Sequence, residues 1–335
     1  MDYKSIPKIE LHAHLNGSLS NKNILELHQL KYQGSDQGIN ADAYKVQKEL
    51  PDLTQCFAKF KYAHELTDVP ERLGRACENV IRDFQEDNVV YLELRTTPRA
   101  TEHMSRETYL ATVCEAIRKC EKTCPGILVK LIPSIDRSKG VQVAEENVEL
   151  TRKIREKYPD LIVGIDLSGN PENTDFRDFR KALQAARDCG LKLALHCAET
   201  AGSVSENLEM LEFGMDRMGH GTFMDESLET WKMLLEKRIP VECCVRSNLK
   251  CGSVSSAENH HIRKLLEAQH PVAICTDDSG VFDTSLSSEI ELCAKTFKLS
   301  RDAIEEITLS TIDQSFASPS EKSRLKTLVH DFYRK

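Results

Sequence analysis

Short apolar, β-branched runs alternate with amphipathic segments of helical period along most of this chain. The runs fall at 8–14, 89–97, 128–135, 161–167, 191–197, 216–220, 240–246 and 271–276 and read as strands. Between them, 105–120, 140–158, 175–189, 203–213, 225–237 and 257–268 repeat apolar residues at helical spacing. Gly126, Pro159, Gly190, Pro240 and Pro271 punctuate the joints. Eight strands, each followed by a helix, in 335 residues predict an α/β fold, a (β/α)8 TIM barrel. An open doubly wound sheet is the competing architecture. No Gly-x-Gly-x-x-Gly follows any strand, which weakens a dinucleotide-binding version of it.

The rhythm breaks once, after the first strand. Residues 15–88 hold a polar stretch at 32–52 and two helical patterns near 53–66 and 71–86. An insertion at that point lies over the C-terminal face of a barrel, where active sites form. It is either a lid or a decorative helical insert. The tail from 300 to 335 reads as helices closing the barrel, so residues 1–335 are expected to form one barrel domain with 15–88 inserted in it.

Hydrophobic content of 40% with 29% charged residues describes a soluble globular protein. A net charge of −8 argues against a broad nucleic-acid or anionic-membrane surface, yet leaves room for a small anion held by local donors. No apolar run is long enough to cross a bilayer, and Met1 to Ile9 lacks the apolar core of a signal peptide. The twelve cysteines scatter without a Cys-x-x-Cys repeat, and Cys243, Cys244 and Cys275 sit inside apolar runs. They are expected to be reduced thiols of a cytosolic protein.

Chemistry gathers at four strand ends. Strand one gives His12 and His14, on one side of the strand because side chains alternate. Strand five ends in His196, with Glu199 three residues on. Strand six ends in Gly219-His220-Gly221, and strand eight runs through Thr276 into Asp277-Asp278. Singly, each has an ordinary structural explanation: a rim histidine, or a helix-capping Asp pair. Together, three histidines and a carboxylate suit a divalent transition metal, zinc first. Zinc lowers the pKa of its water to about 7, and Glu199 is placed to carry the proton. The pattern reads as metal-assisted hydrolysis.

The set His12-x-His14-Leu15-Asn16-Gly17, Ser168-Gly169, His196-x-x-Glu199, Gly219-His220-Gly221 and Thr276-Asp277-Asp278 resembles the adenosine/AMP deaminase family, in order and over nearly the whole chain. The resemblance implies a zinc-containing barrel that hydrolytically removes the 6-amino group of a purine. It implies one zinc on His12, His14, His196 and Asp277, a proton from Glu199 to ring N1, and His220 orienting the hydroxide. Asp278 would hold N7, and the Gly169 backbone would approach N3.

Two departures sharpen the expectation. Asn16 stands where adenosine enzymes carry an Asp for a free ribose hydroxyl, and losing that carboxylate removes repulsion against a 5′-phosphate. The turn after strand five reads His196-Cys197-Ala198-Glu199 in place of His-Ala-Gly-Glu. Glu93-Leu94-Arg95-Thr96-Thr97-Pro98-Arg99 clusters hydroxyls and guanidinium groups suited to phosphate oxygens. These features resemble the adenosine deaminase-like branch, which acts on N6-methyl-AMP. That branch uses His14, Asn16, His64, Thr96, Thr97, Pro98, Arg99, Asp136, Gly169 and Asp278 for substrate.

Plainer roles exist for several of these. Arg99 could be a solvated loop charge, Asp136 a turn cap, and His64 a helix-surface residue, while His28, His103, His260, His261, His270 and His330 are expected to be structural or solvent-facing. The expected reaction is N6-methyl-AMP plus water giving IMP and methylamine. Adenosine or AMP deamination is the near alternative, and a non-catalytic purine-binding barrel the distant one. A different metal hydrolase would carry a Lys at the end of strand four, where Asp166-Leu167-Ser168-Gly169 stands. The expected partner is a small purine nucleotide, with no nucleic acid and no membrane, and the chain is expected to act as a monomer.

Overall fold

The apolar runs become eight parallel strands in sequence order: β1 Lys8–His14, β2 Val89–Thr96, β3 Leu128–Asp136, β4 Gly164–Ser168, β5 Lys192–Cys197, β6 Arg217–His220, β7 Val241–Cys243 and β8 Val272–Ile274. The computed structural model describes residues 1–33 and 53–334, of which 53–59 are described by backbone only. Most of the polar stretch at 32–52 therefore lies outside the described residues. Parallel pairing runs without interruption from β1 to β8, as in the registers His14↔Arg95, Cys197↔His220 and Cys243↔Ile274.

The remaining seam, between the chain just after β8 and β1, closes through the isolated parallel bridge Ala13↔Asp277. The main-chain N–H of Asp277 donates to His12 O at 2.8 Å, and that of His14 donates to Asp277 O at 3.0 Å. Lower down, the buried Glu10 carboxyl accepts from the main-chain N–H groups of His12 (2.8 Å) and Thr276 (3.0 Å) and from Thr276 Oγ1 (2.8 Å). Burial pushes this carboxyl up to about 8. A side chain thus substitutes for missing ladder bonds where the β1–β2 register shifts between Glu10 and Ala13.

Helices α1 Asn21–Lys31, α2 Leu53–Leu66 and α3 Pro70–Glu86 form the insertion. Then α4 Arg106–Thr123, α5 Val141–Lys157, α6 Phe176–Asp188, α7 Val204–Phe213 and α8 Leu228–Lys237 alternate with the strands. Short α9 Val245–Lys250 and α10 Ile262–Glu267 flank the loop after β7, and α11 Leu286–Phe297, α12 Arg301–Gln314 and α13 Pro319–Tyr333 complete the chain. Side-chain caps at Ser105, Asp175, Ser227, Ser285, Ser300 and Ser318 start many of these helices, each contributing about 1 kcal/mol.

The large core lies between strands and helices, as in the packing of Leu92, Leu94, Leu131, Ile165 and Leu193 with Val80, Val113, Val148 and Leu183. A smaller core joins Ile9, Leu11, Val90 and Ala273 to Ile312, Leu325 and Val329. The tail helices therefore plug the N-terminal mouth of the barrel and leave the C-terminal mouth to the loops.

Three differences from the sequence reading have physical causes. The apolar run at 240–246 is strand only to Cys243; the chain turns at Cys244 and winds into α9, and burial of Cys244 and Val245 in either state hides the change. The segment 257–268 divides into a 3-10 turn, Ala257–Asn259, and α10. Helices α1 and α11 were not expected because polar groups interrupt their inner faces. Asn23 donates to Asp83 at 2.8 Å, His28 bonds the Tyr62 hydroxyl at 2.7 Å, and buried Glu289 holds Arg246.

Candidate active site

Four side chains converge at the C-terminal mouth with the spacing of a tetrahedral cage. His14 Nε2 lies 3.3 Å from His12 Nε2 and 3.2 Å from His196 Nε2, and Asp277 Oδ1 lies 3.5 and 3.4 Å from the Nε2 atoms of His12 and His14. Ligands about 2.0–2.1 Å from a common tetrahedral centre stand about 3.3–3.4 Å apart, so this donor set fits a zinc-like ion. His12, His196, His220 and Asp277 also lie within 4.8 Å of one another. His220 stands to one side, however, with Nε2 3.9 Å from Asp277 Oδ2 and 3.4 Å from Glu199 Oε1.

The barrel interior aims these imidazoles. His12 Nδ1 bonds Glu242 at 2.7 Å and His196 Nδ1 bonds Asp166 at 2.8 Å. A carboxylate only accepts, so both rings carry a proton on Nδ1 and turn Nε2 toward the cluster. Arg95, fully buried, joins the two carboxylates by bonding both Asp166 and Glu242. Arg217 extends the network from Glu242 to Glu93. Burial would push Glu242 up, but Arg95 and Arg217 outweigh it and hold the carboxylate well below its usual range.

Sequence reading did not single out Glu242, Asp166 or Arg217, and it placed Arg95 among phosphate-facing groups. Arg95 instead points into the barrel. The available signal was alternation: Tyr91, Glu93 and Arg95 share one face of β2, and Glu242 interrupts an apolar strand.

Electrostatics differ among the cluster members. Burial pushes His14 down to about 3, keeping it neutral as a ligand must be. Burial also opposes protonation of His196, but the carboxylates of Asp166 and Glu199 overcome it and lift the ring to about 9. Glu199 is raised above the usual carboxylate range, mainly by burial and further by Asp277, with His196 opposing.

Three residues in this mouth occupy left-handed backbone without being glycine: Ala198 (φ 55°), His220 (φ 61°) and Asp277 (φ 61°). Such residues cost about 1–2 kcal/mol each, and they collect where side chains must be aimed. Ala198→Gly is expected to raise the unfolding free energy by roughly 0.5 kcal/mol, the relieved strain exceeding the added flexibility of the unfolded chain. Urea denaturation measures this, and a destabilisation would show that packing of the Ala198 methyl outweighs its strain.

The expected substrate-end residues form a second group. Asn16, 8% exposed, donates to the Tyr109 hydroxyl at 3.2 Å and accepts from Thr67 Oγ1 at 3.3 Å. Thr96 Oγ1 lies 2.7 Å from that same hydroxyl. One Arg99 nitrogen donates to Thr67 Oγ1 (2.6 Å) and to the carbonyls of Thr67 (2.8 Å) and His64 (3.1 Å). Arg99 thus ties β2 to the end of α2, and its guanidinium sits 5.6 Å from the Tyr109 ring centroid.

Tyr109 and Thr67, which join these residues, were not expected; both are buried polar groups, Tyr109 on the amphipathic α4 and Thr67 in the turn just after α2. His64 reaches the group through its backbone, while its side chain is exposed against Phe60. Thr97 is half-buried and Pro98 buried on the same turn. His28, His260, His261 and His270 are buried and not solvent-facing, because each ring has a polar partner inside.

Two glycines make room. A Cβ on Gly17 would stand 1.6 Å from Asp278 Oδ1, so Asp278 reaches the mouth only because Gly17 has no side chain. Gly169, at φ +90°, would place a Cβ 2.3 Å from Asp136 Oδ1. Asp136 caps its own turn, accepting from Ser138 N (3.0 Å) and Oγ (2.7 Å), and sits beside Gly169 at the rim.

An eight-stranded parallel barrel with an imidazole–carboxylate cage and a buried glutamate at its C-terminal mouth is the plan of a metal-dependent hydrolase. Residues 7–332 match the adenosine deaminase family model. The adenosine deaminase-like protein of Drosophila melanogaster is 47% identical over 329 residues, covering 98% of this chain and 97% of that one. The N6-methyl-AMP deaminase-L of Xenopus laevis is 39% identical over 325 residues, covering 97% and 93%. The Arabidopsis ADAL structure complexed with IMP superimposes with a TM-score of 0.89 at 37% identity, covering 99% and 98%. The chain belongs to the adenosine deaminase family.

Proposed function

We propose that this protein hydrolyses the 6-amino group of purine nucleoside 5′-monophosphates, with N6-methyl-AMP plus water giving IMP and methylamine. The observation that carries the nucleotide end is Asn16, buried and neutral beside Tyr109, Thr67 and Thr96 within the group that Arg99 completes. An Asp there would face a 5′-phosphate with like charge. The relatives named for N6-methyl-AMP and the IMP-bound neighbour support the same choice.

His12, His14, His196 and Asp277 would hold zinc, which when bound supplies a water that ionises near neutral pH. The remaining chemistry falls to the chain. Glu199 gives its proton to ring N1, drawing electrons from C6 and opening that carbon to the oxygen nucleophile. His220, between Glu199 and Asp277, orients that nucleophile. Asp278 and the Gly169 backbone hold N7 and N3, and Thr96 to Arg99, Asp136 and His64 receive the ribose phosphate. The leaving amine departs with a proton, giving the 6-oxo purine. The insertion carrying His64 and Thr67 acts as the lid over the phosphate. The reading also takes the chain as a cytosolic monomer: the described cysteines are free thiols, nearly all buried, and every site residue named comes from one barrel.

Incubating the zinc-loaded protein with adenosine, AMP and N6-methyl-AMP tests the proposal, with inosine, IMP and released amine quantified. IMP with methylamine is expected in excess over the other products, and inosine as the main product would overturn the nucleotide reading. Arg99→Ala is expected to raise KM for the monophosphates at least about tenfold, with little change for adenosine. Equal effects on nucleotide and nucleoside would remove Arg99 from phosphate recognition.

A further inference from the structure

The segment after β7 carries buried polar groups that the mechanism above leaves unused. Asn248 on α9, and His260 and His261 ahead of α10, are all nearly inaccessible, and Asn248 and His261 bond His220 directly. Their hydrogen bonds can be oriented from one donor that has no alternative. The main-chain N–H of Ile262 donates to His260 Nδ1 at 3.2 Å. An imidazole that accepts at Nδ1 carries its single proton on Nε2. His260 Nε2 lies 2.9 Å from Asn248 Oδ1 and donates to it.

That bond settles which way the amide faces. With its oxygen committed to His260, Asn248 presents Nδ2 to His220 Nδ1 at 3.4 Å. An amide nitrogen only donates, so His220 Nδ1 accepts and the ring proton resides on Nε2. This N–H faces Glu199 Oε1 and Asp277 Oδ2. The neighbouring His261 secures the main chain, its Nε2 donating to His220 O at 2.8 Å where φ is 61°.

We propose that Asn248 and His260 are positioning residues that set His220 in its Nε2–H form. His220 then enters the reaction as a hydrogen-bond donor to the attacking oxygen, and not as the base that takes its proton. The role in turnover rests on the deaminase reading; the tautomer does not.

Asn248→Asp keeps the shape of the side chain but offers only acceptors, so His220 must protonate Nδ1 to meet it. Imidazole nitrogen–proton correlation spectra of the metal-free protein, with the His220 signals assigned by their loss in His220→Gln, read the tautomer without turnover. The wild type is expected to show a bare Nδ1, Asn248→Asp a protonated one. His260→Gln, which can still donate to Asn248, should keep the wild-type form. In the zinc-loaded enzyme, kcat of Asn248→Asp is expected to fall at least about tenfold, with KM nearly unchanged.

A wild-type His220 protonated on Nδ1 would overturn the proposal, as would an unprotonated Nδ1 in Asn248→Asp. If Asn248→Asp does not fold, the wild-type and His260→Gln spectra still decide the tautomer. Unchanged kcat in a variant with protonated Nδ1 would remove the positioning role. Absence of turnover in the wild type would count against the deaminase reading and leave the spectra to be judged alone.

Discussion

Glu199→Gln should lower kcat by about a thousandfold while the protein keeps its fold and its metal. Glutamine preserves the shape and polarity of the side chain, which lies 3.4 Å from His220 and is 13% exposed. What it lacks is a transferable proton. The site has raised this carboxyl by burying it and by setting Asp277 nearby, which favours its acid form. Protonation of N1 by this group is needed only as C6 is attacked, so the loss falls on kcat more than on KM. The sign of the pH dependence follows as well. A proton donor is spent once pH exceeds its pKa, so wild-type activity should fall on the alkaline side, and that limb should be missing from residual Glu199→Gln turnover. Steady-state kinetics with metal content measured on the same samples checks this. Turnover near the wild-type rate would take Glu199 out of the mechanism.

Asp277→Ala should weaken zinc binding at least about 100-fold, a larger loss than is usual for groups that only support a ligand. Asp277 is the only carboxylate among the four candidate ligands, and it is itself held by Ser247 Oγ at 2.7 Å. Without it, three imidazoles must take up a dication with no compensating charge. Competition with a chelator gives the affinity directly. Thermal unfolding gives a second measure, because a ligand that binds only the folded state raises stability with its concentration, and this increment should shrink in the variant. Uptake by the wild type should weaken as pH falls, since protons compete for the rings, His196 most strongly because its neighbouring carboxylates lift it to about 9. Undiminished zinc content in Asp277→Ala would place the ion elsewhere.

Much of the fold was legible because burial writes a period into the chain. All eight strands lie within about three residues of where the apolar runs put them, and the run at 240–246 overshoots its strand where periodicity carries no information: Cys244 and Val245 are buried at the start of a short helix as they would be in a strand. The helices that went unread, α1 and α11, pack polar groups inward, so their apolar stripe is broken. The candidate metal residues were legible for a different reason. Each lies within three residues of the C-terminal end of a strand, and strand ends in a parallel barrel share one face.

By itself, then, the sequence determined the barrel and picked out His12, His14, His196, Glu199, His220 and Asp277, which the fold gathers at one mouth, because these depend on local period and on motifs short enough to see. Tertiary structure alone decided which way each ring points. Glu242 and Asp166 orient His12 and His196 from 230 and 30 residues away, Arg95 joins those two carboxylates, and Asn248 reaches His220 from a short helix whose first two residues read as strand. It also brought Tyr109 to Asn16 from α4 and Thr67 from the turn after α2. Such contacts depend on a proton's position and an ångström of approach between distant segments, and no periodicity along the chain records them.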